Sequence, residues 1–325
     1  MSTCCTVCSI HGSNTSRKER ENVSGNVSRL EAEHETHPPI RAVESPVTPS
    51  PPYWLQVAKR LVRNKTAMGG AIILLIFTIG CVCAPLLAPF PIDQMNFQDR
   101  MVGPGAKHLL GTDDFGRDIF SRLLYGGRIS LLTGLITVTI ATAIGVTLGV
   151  IAGYYRRLDI YIMQVMDILL ALPALLLAIA IIAVLGPGLT NAMIAIVIAV
   201  IPSYVRVTRA SVLSIREKEY VEAVRALGIR DAVVLGKHIL PNILSPIIVL
   251  MTLQFGSSIL AAAALSFLGL GAQPPAPEWG AMVFVGKAFL GQAWWMSIFP
   301  GMAIMLVVLG FNLLGDGLRD ALDPK

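Results

Sequence analysis

The sequence lacks the motifs of an enzyme that works on its own. No G-x-x-x-x-G-K-[ST] pattern occurs among its 325 residues, so the chain has no P-loop with which to bind ATP. The patterns H-E-x-x-H and G-x-S-x-G are also missing, which excludes the commonest signatures of membrane hydrolases. These absences predict a chain with no catalytic residues and no cofactor of its own.

Cysteine is scarce, with five residues in the whole chain. Cys4, Cys5 and Cys8 lie close together near the start, which invites a metal-binding interpretation. No second pair of ligands at zinc spacing accompanies them. The sequence therefore predicts no metal site.

Charge is the scarcest feature, since only 14% of the residues are charged and 54% are hydrophobic. Six runs of 17 to 23 residues contain no Asp, Glu, Lys or Arg. A helix of that length crosses a hydrocarbon core about 30 Å thick. The prediction is an all-α integral membrane protein with six transmembrane helices. The runs are Met68–Leu87, Ile129–Ile151, Ile168–Leu185, Leu189–Val205, Ile243–Leu265 and Met296–Leu314.

The spans also lack an ionisable residue that could couple transport to an ion gradient. The nearest candidate, Asp167, lies one residue before the third run, and its place at the membrane interface explains it. A separate ATPase partner is the expected energy source. A self-sufficient channel or secondary transporter remains the alternative from another class.

The distribution of basic residues predicts the orientation. With the N-terminus inside, 20 Lys and Arg residues lie on the cytoplasmic side and 6 lie outside. Both termini are therefore predicted to be cytoplasmic. The net charge of +5 is accounted for by this topology and by contact with anionic lipid, so no nucleic-acid partner is expected.

The connection between the fourth and fifth spans is unusually ordered for a cytoplasmic loop. Tyr220, Val224 and Leu227 recur at helical spacing, which predicts a short helix with these side chains along one side. Gly228 can end that helix by adopting a left-handed conformation. Asp231 can cap a second short helix over residues 232–240, and Pro241 is expected to stop it.

Two further patterns predict local structure. Gly145, Gly149 and Gly153 form a small-xxx-small ladder in the second span, which favours close helix packing. In the external segment, Asp113 or Asp114 can bind backbone donors in a capped turn before a helix that starts near Ile119.

The connection resembles the EAA loop of permease subunits from binding-protein-dependent ABC importers. Glu222, Ala223, Gly228, Leu240 and Pro241 fall on that pattern, whereas Val224 replaces its second Ala and His238 stands in place of its Ile. Residues 53–324 as a whole resemble the dipeptide and oligopeptide C subunits of the peptide and nickel branch. The motifs that carry this are His108–Asp113 with Gly116–Asp118, Leu170–Pro173, Ala264–Gly271, Gln273–Pro275 with Trp279-Gly280, and Phe311–Asp320.

The resemblance implies an ABC type-1 transmembrane domain in a bacterial inner (plasma) membrane. It implies a heterodimer with a sister permease, two ATPase subunits that bind ATP and magnesium, and an extracytoplasmic substrate-binding protein. The substrate would be di- or oligopeptides, with nickel or glutathione as alternatives. The loop would couple the chain to an ATPase through Tyr220, Glu222, Ala223, Val224, Leu227, Gly228, Leu240 and Pro241.

The predicted organisation has four parts. Residues 1–52 are rich in Ser, Glu, Pro and Thr and are expected to form a disordered cytoplasmic tail. Residues 53–127 hold an interfacial helix, the first span and an external segment. Residues 128–317 form the ABC type-1 domain with its coupling loop at 206–242, and residues 318–325 form a cytoplasmic C-terminus.

Overall fold

A computed structural model describes residues 53–322, and its regular structure over that range is helical. The predicted tail over residues 1–52, with its three cysteines, lies outside the described residues. Short 3-10 turns at Phe97–Asp99 and Lys287–Phe289 and a π-helical segment at Val234–Ile239 complete the elements. The α-helices are α1 (Tyr53–Arg63), α2 (Lys65–Val82), α3 (Ala84–Leu87), α4 (Ile119–Tyr154), α5 (Arg156–Leu170), α6 (Ala174–Leu185), α7 (Leu189–Arg216), α8 (Glu219–Ala226), α9 (Asp231–Val233), α10 (Leu240–Phe267), α11 (Trp279–Gly286) and α12 (Trp295–Leu322).

Five helical stretches in the described part of the chain are long and apolar enough to cross a membrane. They are α2, α4, α7, α12 and the continuous helix Asp231–Phe267. Large apolar side chains on them face outwards, for example Leu75 and Ile76 of α2. Such a surface is stable against lipid tails and unfavourable against water. These five stretches contain four of the six predicted spans in full, and α2 contains the first predicted span up to Val82, after which that run continues into α3.

The predicted third span is not one helix. The charge-free run Ile168–Leu185 begins inside α5, breaks at Ala171–Pro173 and resumes as α6 after a bend of 89°. Pro173 has no N–H to donate and disfavours helical backbone at the residue before it, so the helix ends there. The continuous helix expected from hydropathy was therefore wrong, and α6 alone has only 12 residues.

The contacts of Gly145, Gly149 and Gly153 confirm that this ladder serves close helix packing, and they give the relative direction of α4 and α7. A Cβ added at Gly149 would fall 2.6 Å from the Cβ of Thr208, so only glycine allows this approach. Gly145 and Gly153 meet the α7 residues four before and four after Thr208 in the same way. The contacts advance together along both helices, so α4 and α7 run parallel. Because α4 and α7 cross the membrane in the same direction, the chain must cross back once between them. The helices α5 and α6 together make this return crossing as a single bent span.

The remaining helix pairs place the ends of the described chain on one face. Gly317 of α12 packs on Ala67 of α2, and Gly310 packs near Gly70, so these two helices run antiparallel. The start of α2 and the end of α12 therefore share a face of the protein. Val207 of α7, the start of α10 and the end of α12 line one groove. The connection between α7 and α10 therefore lies on the same face as the end of α12. We call it the terminal face, made of α1, the end of α12 and residues 217–239.

Candidate functional site

The connection on the terminal face is held by a buried residue that periodicity did not single out. Val221 of α8 is fully buried and packs in a cluster with Ile215, Val234 and Ile239, among others. Val224 adds to this cluster from one turn further along α8. Val221 and Val224 also fit one side of a helix, because residues three apart lie on the same side, so the sequence offered this side alongside the predicted stripe. This anchor fixes which side of α8 faces the protein.

The predicted stripe of Tyr220, Val224 and Leu227 borders the buried side. Val224 is half-buried, whereas Tyr220 is 43% exposed and Leu227 is 79% exposed. The Tyr220 ring lies 6.5 Å from the ring of His238, and its hydroxyl accepts a hydrogen bond from Asn242 Nδ2 at 3.5 Å. Tyr220 thus rests on the following helix, while Leu227 points into open space.

Gly228 ends α8 as predicted. Its φ is +74°, in the left-handed region, and its N–H donates to the Arg225 carbonyl at 2.9 Å. A Cβ at this position would meet no atom within 4 Å. Glycine is therefore favoured by the backbone conformation alone and by no steric contact.

The predicted stop at Pro241 is wrong. Helical backbone starts at Asp231, passes through the π-helical segment Val234–Ile239 and continues into α10. Pro241 therefore lies inside this helix, just after the π-helical segment, and has no N–H to donate to the preceding turn. The His238 carbonyl in the preceding turn accepts a hydrogen bond from Asn242 Nδ2 at 2.6 Å. The π-helical turn and this side-chain bond let the helix run past the proline.

The predicted cap at Asp231 is also wrong. Asp231 is the first residue of α9, and its side chain caps no backbone N–H there. Its Oδ1 accepts a hydrogen bond from the Tyr154 hydroxyl at the end of α4. A contact across 77 residues replaces the expected local one, and local sequence cannot reveal it.

The other predicted site residues lie on the exposed side. Glu222 and Ala223 face solvent, as do Leu240 and Pro241 at the start of α10. Within residues 53–322 Glu222 has no ion-pair partner. An unpaired carboxylate beside an exposed leucine offers both charge and apolar area to another protein, and the exposed apolar residues of the connection are Tyr220, Leu227, Ile229 and Val233.

A second feature is a groove at the level of the spans. It has a volume of about 370 Å³ and lies between α6, α7 and α10. Small residues form most of its wall, and Gln254, Ser257 and Ser258 supply its polar groups. The helix α4, which contains the second predicted span, does not line this groove. The Thr133, Thr139 and Thr147 hydroxyls donate to the carbonyls four residues earlier in α4.

The face opposite the terminal face contains a rigid loop network. Asp113 Oδ1 accepts hydrogen bonds from the backbone N–H groups of Phe115 and Arg117, both at 2.9 Å, so the predicted capped turn is confirmed. Asp118 caps α4, which starts at Ile119 as expected. Burial raises the pKa of the Asp114 carboxyl, and the Asp113 carboxylate raises it further.

Comparison with known proteins decides the family. Residues 145–325 match the family described as the inner membrane component of binding-protein-dependent transport systems, and residues 52–104 match the N-terminal transmembrane domain of oligopeptide transport permease C. This chain belongs to that permease family. It is of the dipeptide and oligopeptide C-subunit type, a multi-pass inner-membrane permease subunit of an ABC transporter.

Individual permeases are similar over most of their length. The dipeptide transport permease DppC of Alkalihalophilus pseudofirmus is 53% identical over 84% of this chain and 90% of its own. The di/tripeptide permease DppC of Pseudomonas aeruginosa is 48% identical over 86% and 94%. The glutathione permease GsiD of Pectobacterium atrosepticum is 44% identical over 84% and 91%.

The fold is that of an ABC type-1 transmembrane domain. A structure of the MetNI methionine ABC transporter, in an inward-facing conformation, aligns with a TM-score of 0.51 and 18% identity. The alignment covers 62% of this permease and 96% of the MetNI chain. The predicted fold class is thereby confirmed.

Proposed function

We propose that this permease forms the translocation path of an ATP-driven importer together with a sister permease. Di- or oligopeptides would be delivered by an extracytoplasmic binding protein, and two separate ATPase subunits would bind ATP and magnesium. The observation that carries the proposal is the exposed α8 connection on the terminal face of a chain from this family. The absence of a P-loop in the sequence supports the assignment of ATP hydrolysis to a partner.

The terminal face is proposed to be cytoplasmic. Lys59, Arg60 and Arg63 lie on α1, and Lys65 opens α2, so a basic cluster borders the membrane on that face. Basic residues beside a span are retained on the cytoplasmic side. Both ends of the described chain and α8 then meet the cytoplasm, where an ATPase can reach them.

We propose that α8 is the element that docks on the ATPase. Leu227 supplies an exposed apolar side chain that the ATPase can bury, and Glu222 supplies an unpaired carboxylate for a basic residue of the ATPase. Gly228 sets the direction in which the chain leaves α8. Val221 packs the other side of the helix against Ile215 at the end of α7 and against the π-helical segment, which holds α8 beside the spans.

The groove between α6, α7 and α10 is proposed to face the sister permease and to form part of the path. Its small side chains and three amide or hydroxyl groups suit a peptide that must be bound weakly and released. Selectivity is then expected to reside mainly in the binding protein.

Three alternatives are kept, and a specific observation favours the first of them. Glutathione is a tripeptide-like substrate, and a relative at 44% identity is a glutathione permease. Nickel is the other cargo suggested by the family branch. An ATP-independent channel is the alternative from a different class.

The test is uptake by the assembled complex in proteoliposomes that contain ATP or a non-hydrolysable analogue. We expect a labelled dipeptide to accumulate only with ATP and with the binding protein present. Faster uptake of glutathione or of Ni²⁺ than of the dipeptide would select the corresponding alternative. Uptake at the same rate without the ATPase subunits would overturn the proposal.

A further inference from the structure

Tyr154 occupies an unusual position at the junction of the spans and the cytoplasmic connection. It is the last residue of α4, and only 5% of its surface is exposed. Its neighbour Tyr155, by contrast, is 42% exposed. The two rings contact each other edge to face, with centroids 5.1 Å apart. The same residue type therefore occurs twice in succession, once buried and once at the surface.

Three charged residues from three different elements meet at Tyr154. The hydroxyl donates a hydrogen bond to Asp231 Oδ1 of α9. The guanidinium of Arg225, in α8, lies over the ring at 5.4 Å from its centroid, within range of a cation–π contact. The backbone carbonyl accepts a hydrogen bond from Nη1 of Arg216, the last residue of α7, at 2.9 Å. Both short helices of the connection are thus attached to the end of one span through one side chain.

The span that ends at Tyr154 is well suited to transmit motion. The helix α4 has 36 residues and reaches the opposite face, where Asp118 caps its first turn. The glycine ladder places α4 against α7 with no room for an added atom. A close-packed pair of this kind moves as one body, because sliding would drive backbone and side chains into each other.

We propose that Tyr154 is a positioning residue that ties the α8–α9 connection to α4, so that displacement of α8 by an ATPase moves the α4–α7 pair. The idea rests on the proposed function, since it requires that α8 is pushed by a partner. Without the Tyr154 contacts, α8 is held by Val221 and Val224, by the contacts of Tyr220 with the following helix, and by its chain connections. It could then follow the ATPase without carrying the spans with it.

A purely structural role predicts something different. If Tyr154 only fills space, Tyr154→Phe keeps its ring, its burial and the contact with Arg225 and should leave coupling unchanged. The substitution removes only the hydroxyl that bonds Asp231. Tyr155→Phe is the matched control, because within the described residues the Tyr155 hydroxyl has no hydrogen-bond partner.

The first arm of the test uses the full-length permease alone in detergent. Hydrogen–deuterium exchange is measured in peptides that cover residues 219–233. We expect exchange about tenfold faster in Tyr154→Phe, the effect of losing a hydrogen bond to a charged group, and no change in Tyr155→Phe. Asp231→Ala should match Tyr154→Phe, and the double variant should be no faster than either single one. Unchanged exchange in Tyr154→Phe would overturn the tie.

The second arm uses the complete complex in proteoliposomes and measures peptide imported per ATP hydrolysed. We expect this ratio to fall at least threefold in Tyr154→Phe at normal abundance, while ATP hydrolysis continues and Tyr155→Phe matches the unsubstituted complex. A full ratio together with accelerated exchange would overturn the transmitting role. If the unsubstituted complex imports no peptide, the proposed function fails, whereas the first arm still decides whether Tyr154 holds the connection.

Discussion

The left-handed glycine at the end of α8 allows a sharp test, because the strain of a substitution can be separated from crowding. Gly228 has φ +74°, and an added Cβ would meet no atom within 4 Å. Gly228→Ala therefore adds only the backbone cost of a left-handed residue, about 1–2 kcal/mol. Gly236 lies in the same connection, also has open space around it, and has an ordinary φ. Gly236→Ala adds the same methyl group without that cost.

The expected consequence is a change in the population of the native connection. A cost of about 1–2 kcal/mol lowers the ratio of native to distorted connection by roughly 5- to 30-fold. We expect Gly228→Ala to lower peptide uptake at normal membrane abundance and Gly236→Ala to leave it intact. Gly228→Asn should recover part of the activity, since Asn tolerates the left-handed conformation best among the other residues.

The assay is growth on a peptide that supplies a required amino acid, with uptake of labelled peptide and immunoblotting of membranes as controls. Full uptake in Gly228→Ala would refute the reasoning from backbone strain. Equal losses in Gly228→Ala and Gly236→Ala would show that the connection tolerates no added methyl group at all, which also contradicts the argument.

Three further predictions concern packing, topology and the tail. Gly149→Leu should lower the abundance of the permease, because its Cβ would lie 2.6 Å from an α7 side chain and overpacking costs about 1–3 kcal/mol. Gly69→Leu is the control, because no atom lies within 4 Å of a Cβ added at that position, and it should leave the abundance unchanged. Equal abundance of the two variants would contradict this prediction. An impermeant thiol reagent should label Gln273→Cys from outside the cell and Arg230→Cys only after permeabilisation, and external labelling of the latter would invert the topology. A chain that starts at Tyr53 should insert and support uptake, because the basic residues that orient it follow that point; insertion without transport would assign the tail a function.

The sequence predicted the spans well and their backbone less well. Absence of charge located all six apolar runs, because burying charge in lipid is costly. It could not reveal the bend at Pro173, since hydropathy measures transfer into the membrane and is blind to a missing N–H. The cue for the bend was the Leu-Pro pair inside the run, read as a family motif rather than as a break.

The α8–α9 connection shows the same division between local and non-local information. The end of α8 at Gly228 was predictable, because it depends on the backbone of one residue. The role of Asp231 was not, because its partner Tyr154 lies on another span and only the folded chain brings them together. Periodicity found the stripe from Tyr220 to Leu227, yet it could not decide which side of α8 is buried. The burial of Val221 settles that, through contacts with Val234 and other residues beyond α8.

Docking of α8 on an ATPase subunit is the central claim, and cross-linking tests it most directly. In a variant whose five native cysteines are replaced, Leu227→Cys places a thiol at the exposed end of α8, and Gln273→Cys places one on the opposite face. We predict that a bifunctional thiol reagent joins Leu227→Cys, and not Gln273→Cys, to the ATPase in the assembled complex. The ATPase carries cysteines introduced along its surface, and the complex is active. The account would be contradicted if Leu227→Cys formed no cross-link in this complex. It would also be contradicted if Gln273→Cys formed as much cross-link as Leu227→Cys.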